Sequence, residues 1–306
     1  MDNLPELSRP CPVCGSAAAE LFLVKGPLRL VRCRECSMVY ASPLPAAFAS
    51  ADAYNEVGTE YYLSPAKLES DYAPVRFRRE LRLFRRYCRG GAVLDVGCGT
   101  GGWLFGLERR YPGAYRRLGT DASAPALDYA ASRGVPVARG DFPKQSFPEA
   151  SFDALTFWAV LEHVRDPGAF LKRAAALLQP EGRCFVLVPN MRSLAARLLG
   201  ARYRYIYPQH LNYFTRATLS RLVAKHFVIV EQASTHFNPV VIWQDWRRGG
   251  QEVSNYERGK LLKRTTAYKQ NPLLKPVKCI YDAFEWSLGR MNLADNLVMV
   301  GKPKTL

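Results

Sequence analysis

The chain has 306 residues, 48% hydrophobic and 23% charged, enough for one full core with small appendages. No apolar run approaches the roughly 20 residues that span a bilayer, and the acidic start Met1-Asp2-Asn3-Leu4-Pro5-Glu6 lacks the apolar stretch of an export signal, so a cytoplasmic enzyme is expected. The formal charge of +16 favours nucleic acids, anionic membrane surfaces or phosphorylated substrates as partners; the plain alternative is a solvated surface.

Cys11-Pro12-Val13-Cys14 and Cys33-Arg34-Glu35-Cys36 form two CxxC knuckles around strand-like stretches Leu21–Val24 and Leu28–Arg32. Four thiolates at this spacing suit closed, tetrahedral Zn²⁺, a structural site with no open coordination position. Disulfides are the rival, but nothing in the sequence points to an oxidising compartment. Cys88, Cys98, Cys184 and Cys279 are unpaired by spacing and read as buried apolar residues. A ribbon over residues 1–45 would then lead into a linker over 46–75 carrying Tyr54, Tyr61, Tyr62 and Tyr72.

Arg76 to Arg89 has a helical pattern, with Phe77, Leu81, Phe84 and Cys88 on one face and Arg78, Arg79, Arg82, Arg85, Arg86 and Arg89 on the other. Such a charge run is ordinarily a solvated face, and otherwise a surface for phosphates. A short buried strand, Ala92–Val96, then runs into Gly97-Cys98-Gly99-Thr100-Gly101-Gly102 and a helix from Trp103. Glycines before a helix N-terminus let a ligand lie on bare backbone beside unpaired N–H groups. Further strands follow at Tyr115–Thr120 (ending in Asp121), Val135–Gly140 (Asp141, Phe142), Phe152–Trp158, Cys184–Val188, Phe227–Val230 and Asn296–Val300. Helices Trp103–Tyr111, Pro125–Arg133 and Pro167–Leu178 alternate with them, as right-handed crossovers require. Ligands in such folds gather at the carboxyl ends of the strands, which places Asp95, Gly97, Asp121, Asp141, Phe142, Trp158 and His163 along one edge.

Gly97, Gly99 and Gly102 fit the dinucleotide spacing GxGxxG, whereas Asp95, Gly97, Gly99 and Gly101 fit D-x-G-x-G-x-G. The stretches LDVGCGTGGW, GTDAS, GDF, FDALTFWAVLEHVRDP and LLQPEGRCFVLVPN, in that order, resemble the class I S-adenosylmethionine (SAM)-dependent methyltransferases from about Arg76 to Ser234. The resemblance implies a Rossmann-like, seven-stranded doubly wound α/β sheet with its last strand antiparallel, preceded by the small N-terminal zinc ribbon. It also implies that Gly97, Gly99 and Gly101 (with Asp95) wrap the methionine moiety and that Asp121 holds the ribose. Asp141 and Phe142 would flank the adenine, and Trp158 would lie near the sulfonium. Val39-Tyr40-Ala41-Ser42-Pro43-Leu44-Pro45 resembles the ribbon-to-linker junction of bacterial methyltransferases acting on small molecules, and the linker would pass over the cofactor as a lid bearing Tyr61 or Tyr62.

An oxygen or nitrogen acceptor that starts protonated needs a base, and histidine suits it. Of His163, His210, His226 and His236, the first follows the fourth strand and the second lies in Tyr207-Pro208-Gln209-His210-Leu211-Asn212-Tyr213-Phe214; these two are the catalytic candidates. An alternative for Glu162 is a divalent-metal site, as in some related quinone O-methyltransferases, but no second close carboxylate supports it. The basic, amphipathic segment Met191–Tyr207 reads first as a helix over the acceptor and second as a peripheral membrane contact. After a core over 76–238, residues 239–293 form a long insert with helical patterns at Leu261–Tyr268 and Val277–Leu288, and residues 294–306 a final strand and tail. The insert reads as an acceptor cover or a homodimer contact. A small-molecule O-methyltransferase for a sugar, polyketide-like or lipid-linked acceptor is the leading reading. The alternative is an RNA methyltransferase gripping nucleic acid with the ribbon, the arginine helix and the basic insert; Trp158-Ala159-Val160-Leu161 is not the motif used on exocyclic amines.

Overall fold

The structure, a computed structural model, describes residues 9–45, 60–271, 273 and 275–304. Tyr54 and the first part of the expected linker lie outside them.

Strands β1 (Ala19–Lys25), β2 (Leu28–Cys33) and β3 (Val39–Ala41) form an antiparallel sheet on the two knuckles. The helices α1 (Pro65–Asp71) and α2 (Arg78–Tyr87) lead into β4 (Gly91–Val96), whose Val93, Leu94 and Val96 are buried as a strand covered on both faces demands. Then come α3 (Gly102–Arg110), β5 (Tyr115–Asp121), α4 (Ala124–Ser132), β6 (Val137–Arg139), β7 (Phe152–Trp158), α5 (Pro167–Leu177), β8 (Leu178–Pro189) and α6 (Leu194–Leu199). After the two-residue β9 (Asn212–Tyr213) follow α7 (Arg216–Val223), β10 (Phe227–Thr235), α8 (Pro239–Arg248), α9 (Asn255–Gln270), α10 (Lys275–Arg290) and β11 (Asn296–Pro303).

The main sheet has the order β10-β11-β8-β7-β4-β5-β6, with β4 to β8 parallel and β11 antiparallel to both neighbours. This is the expected Rossmann-like, doubly wound sheet. Val96 pairs with Thr120 on β5 and with Phe157 on β7, so the carboxyl ends of three central strands are level. One core lies between Leu94, Leu155, Phe157 and Val186 and the helices bearing Leu171 and Leu219. On the other face Val93, Ala154 and Phe185 meet Phe84, Trp103 and Leu104. Each Val, Leu or Phe among them contributes about 1.5–3 kcal/mol by leaving water.

On α2 the apolar stripe Leu81 and Phe84 faces inward, and three of the arginines opposite are engaged: Arg79 with Asp282 (2.8 Å), Arg86 with Glu231 (2.9 Å) and Arg85 with the Tyr115 hydroxyl (2.9 Å). Arg82, Arg85, Arg86 and Arg89 line an open basic recess with Tyr111. Cys88 and Cys184 are buried as expected, but Cys98 is half-buried and Cys279 is exposed. The apolar reading of Cys279 fails because α10 lies on the sheet edge and has an outer side. Among the described residues no helix is long and apolar enough to cross a membrane.

A fourth strand joins the ribbon sheet from far along the chain: β9 pairs with β3, Val39 opposite Tyr213 and Tyr40 opposite Asn212. The ribbon and the core therefore share a sheet.

Candidate active site

At the end of β4 the backbone turns through left-handed glycines, Gly97 with φ of 73° and Gly101 with φ of 78°. A Cβ at Gly97 would stand 2.4 Å from Val160 Cγ2, and one at Gly101 would stand 3.0 Å from Ala130 Cβ. Only bare backbone fits. The Gly97 and Cys98 amides donate to the Thr120 carbonyl (2.7 and 3.0 Å), and the Gly99 amide donates to Asp121 Oδ2 (2.8 Å). Asp121 Oδ1 accepts from the Ser123 amide at 2.8 Å, so each carboxylate oxygen keeps a lone pair for a ligand hydroxyl. Burial pushes Asp121 up from the usual carboxylate range. A glycine cradle, a helix N-terminus at Gly102 and an acid at the next strand end suit a nucleoside with an amino-acid tail, which SAM is.

The other expected cofactor residues are placed less uniformly. Asp95 is buried in β4, accepts from Thr156 Oγ1 at 2.5 Å and is pushed up to about 7 by burial, with the Asp121 charge adding to the rise. It ties β4 to β7 beneath the loop. Asp141 is exposed and pairs with Lys144 at 3.3 Å. The Phe142 ring packs in the core, 5.4 Å from Phe170 and 5.9 Å from Phe157. Trp158 is half-buried beside Trp103, with ring centroids 5.6 Å apart. From the lid side, Tyr72 donates to the Thr100 carbonyl (2.5 Å), and a Cβ at Gly99 would lie 3.9 Å from the Tyr62 ring. The Lys67 ammonium lies 5.5 and 5.6 Å from the Tyr61 and Tyr62 rings and pairs with Asp71.

Just beyond β7 the chain bends at Ala159, a non-glycine with φ of 59°, and delivers Glu162 and His163. His210 comes from the loop before β9, and its ring centroid lies 4.6 Å from that of His163. The structure thus brings together the two histidines singled out in the sequence. The ligand atoms of Glu162, His163 and His210 all lie within 4.8 Å of one another, so the partner that Glu162 lacked locally is an imidazole rather than a carboxylate. His163 Nδ1 meets the Gln209 carbonyl at 2.9 Å, which fixes the proton on Nδ1 and leaves Nε2 as the acceptor. Burial lowers His163 to about 4 and drives His210 well down, with the His163 and Arg258 charges adding to the fall at His210. Both rings are neutral at pH 7. Neither Glu162 oxygen has a hydrogen-bond partner, and burial pushes that carboxyl up to about 8.

Sequence reasoning placed Tyr205 and Tyr207 in the segments beside the acceptor but missed Arg258. The Tyr207 ring sits 4.4 Å from His210 and carries the Arg258 guanidinium 4.1 Å above its centroid; Tyr205 stacks parallel to His210 at 6.1 Å. Arg258 comes from α9, outside the segment that resembles the family, and the only signals for it were the length and basicity of the insert. The insert is pinned nearby: Arg204 meets Asp245 of α8 through its main-chain N–H (2.9 Å) and Nε (2.7 Å). In the ribbon, Cys11 and Cys36 Sγ atoms are 3.4 Å apart, Cys14 and Cys33 are 3.5 Å apart, and all four lie within 4.8 Å of one another. Four thiolates about 2.3 Å from one Zn²⁺ stand about 3.8 Å from each other, so this set fits the metal.

Fold and cradle together define a Rossmann-like, nucleoside-binding transferase. A family profile described as a methyltransferase domain matches residues 71–230, and the chain belongs to that family as a class I SAM-dependent methyltransferase. It is 31% identical over 196 residues to a ubiquinone biosynthesis O-methyltransferase of Bradyrhizobium diazoefficiens, covering 55% of this chain and 70% of the relative. To the protein of that name from Rhodopseudomonas palustris (strain TIE-1) it is 31% identical over 171 residues, 49% of this chain and 64% of the relative. Among solved structures it is similar in fold to a SAM-dependent methyltransferase of Thermotoga maritima, a possible histamine N-methyltransferase, with a TM-score of 0.54 and 16% identity over 81% of this chain and 99% of that one.

Proposed function

We propose that the chain methylates an oxygen of a small-molecule acceptor held at the carboxyl edge of β7, beneath the 239–293 insert. The observation that carries this is the meeting of His163, His210 and Glu162 within 4.8 Å at the end of β7, with His163 Nδ1 held by the Gln209 carbonyl so that Nε2 is the accepting nitrogen. The O-methyltransferase names of the relatives support the direction. When bound, SAM supplies an already activated methyl group, so the chain's work is alignment and proton removal. Gly97, Gly99 and Gly101 would hold the methionine part and Asp121 the ribose, with Asp95 bracing the loop. Asp141 and Phe142 would border the adenine side, and Trp158 the reacting centre. His163 Nε2 would receive the acceptor hydroxyl proton; His210, packed against it, would orient the ring or share that proton. The insert acts as the acceptor cover, supported by the Arg204–Asp245 pair that ties it to the His210 loop. Cys11, Cys14, Cys33 and Cys36 hold a structural Zn²⁺.

The test is mass spectrometry of metabolites labelled by the chain, isotopic SAM and cell extract, with His163→Ala and His210→Ala assayed alongside and SAM affinity measured by calorimetry. Methylated small molecules, turnover reduced by about 10²-fold or more and unchanged SAM affinity support the reading. Near-normal turnover in both variants, or label appearing only in nucleic acid, overturns it.

A further inference from the structure

The acceptor pocket contains one more charged group than its chemistry of proton removal requires. Arg258 enters from α9, lies on the Tyr207 ring, and forms no ion pair among the described residues. Its Nε is buried without a hydrogen-bond partner. Other arginines nearby are matched: Arg204 with Asp245 and Arg248 with Glu257 at 2.5 Å. A guanidinium presents five donors in a plane; the Tyr207 hydroxyl takes up part of them, and the buried Nε–H calls for an acceptor that no described carboxylate supplies.

The surroundings lead the same way. The ring under Arg258, that of Tyr207, packs 4.4 Å from His210, and Tyr205 stacks parallel to the same imidazole at 6.1 Å, so the guanidinium stands over the loop that carries the proposed proton acceptors. Guanidinium with phenol hydroxyls is a donor set for a carboxylate or a phosphate.

We propose that Arg258 anchors an anionic group, a carboxylate or phosphate, carried by the methyl acceptor, so that the enzyme selects acidic small molecules and orients their hydroxyl toward His163. This rests on the reading of the pocket as the acceptor site. The guanidinium fixes one end of the acceptor through paired hydrogen bonds, and the Tyr207 ring beneath it sets the orientation of the fork. Arg258 thereby becomes a specificity residue supplied by the insert rather than by the family core.

The full chain, saturated with S-adenosylhomocysteine, is titrated with 3,4-dihydroxybenzoate, with catechol and with inorganic phosphate, in native, Arg258→Gln and Arg258→Lys forms. SAM affinity and thermal melting are measured for each. The expected result is carboxylate binding about tenfold tighter than catechol binding, lost in Arg258→Gln, partly kept in Arg258→Lys, competed by phosphate, and accompanied by unchanged SAM affinity. Equal binding of carboxylate and catechol, absence of binding by any of the three, or a preference that survives in Arg258→Gln overturns it. A fall in SAM affinity with Arg258→Gln assigns the guanidinium to the cofactor's carboxylate and overturns it as well. Failure of the underlying reading looks different: label on nucleic acid alone, or histidine variants that turn over normally.

Discussion

Arg9 donates through Nη2 to Asn212 Oδ1 at 2.9 Å and to the Leu211 carbonyl at 2.6 Å, and through Nη1 to the Arg165 carbonyl at 2.8 Å. Asn212 Nδ2 in turn donates to the Leu161 and Val164 carbonyls at 2.8 Å each. One guanidinium beside the first knuckle thus holds both segments that carry the proposed proton acceptors. Arg9→Ala leaves several carbonyls without donors and is expected to cost about 2–4 kcal/mol, since bonds to charged groups are each worth about 1.5–3. Acceptor turnover should fall with SAM affinity kept, as read by melting curves and calorimetry. A variant that melts and turns over like the native chain contradicts this coupling.

Chelation should act through the same path. Metal analysis of the purified chain is expected to find one zinc, and its removal should release the β3–β9 pairing that tethers the His210 loop. The expected signature is a lower melting temperature and weaker turnover, restored by adding Zn²⁺. Cys36→Ser should reproduce it without a chelator. A metal-free chain with full activity would remove the zinc assignment.

The cradle makes a steric prediction. Gly97→Ala forces a side chain into a left-handed backbone position and against Val160, so SAM affinity should fall by about tenfold or more, with a stability loss of about 1–3 kcal/mol. Adding Val160→Ala removes the clash but not the backbone strain, and recovery should be partial. Full recovery would mean that sterics alone dictate glycine there.

Turnover should depend on pH in an unusual way. Because burial holds His163 near 4 and His210 below its ordinary value, log kcat is expected to be flat between pH 6 and 7, with its acid limb well below the ordinary histidine range. An inflection centred on 6.5 would mean that neither buried histidine governs the rate.

Glu162 makes the matching stability prediction. Its folded value of about 8 exceeds the ordinary 4.5, so the native state keeps a proton that the unfolded chain releases between these values. The group's stabilising contribution is complete below pH 4.5 and is lost as the pH rises through 8. Glu162→Gln removes that loss, so its melting temperature should gain on the native chain steadily from pH 5 to 8.5. His163 behaves oppositely, costing stability as pH falls from 6.5 toward 4, so the gain is read above pH 6.5, where that cost is gone. A difference that stays level would show that Glu162 is ionised in the fold, balanced by a cation or a charged imidazole.

The parallel core, the glycine loop and the cysteine knuckles were legible in the sequence because each is a local pattern: an apolar run such as Val93–Val96, a fixed glycine spacing, a CxxC pair. His163 and His210 could be nominated singly, but their meeting depends on β9 pairing with β3, a two-residue contact with no periodicity to read. Arg258 was hidden for the same reason, its place set by the docking of α9 on α1, where Gly259 brings the backbone close to Ser64 and Ala66. Phe142 could be placed after β6 from the sequence, but its packing against Phe157 and Phe170 could not, since those rings come from distant parts of the chain. Position along a strand edge says which residues can reach a ligand; packing decides which of them do.

The strand order has a consequence for how the protein is made. Strand β11 lies between β8 and β10, yet it is the last of these to leave the ribosome. Until it emerges, β8 has an open flank and β10 has nothing to pair with, so a nascent chain that has already built its cofactor cradle still displays a bare, apolar β-edge. Slow translation of the insert would lengthen that exposure, making these residues the stretch where synthesis speed and holdase chaperones decide between a finished sheet and aggregation.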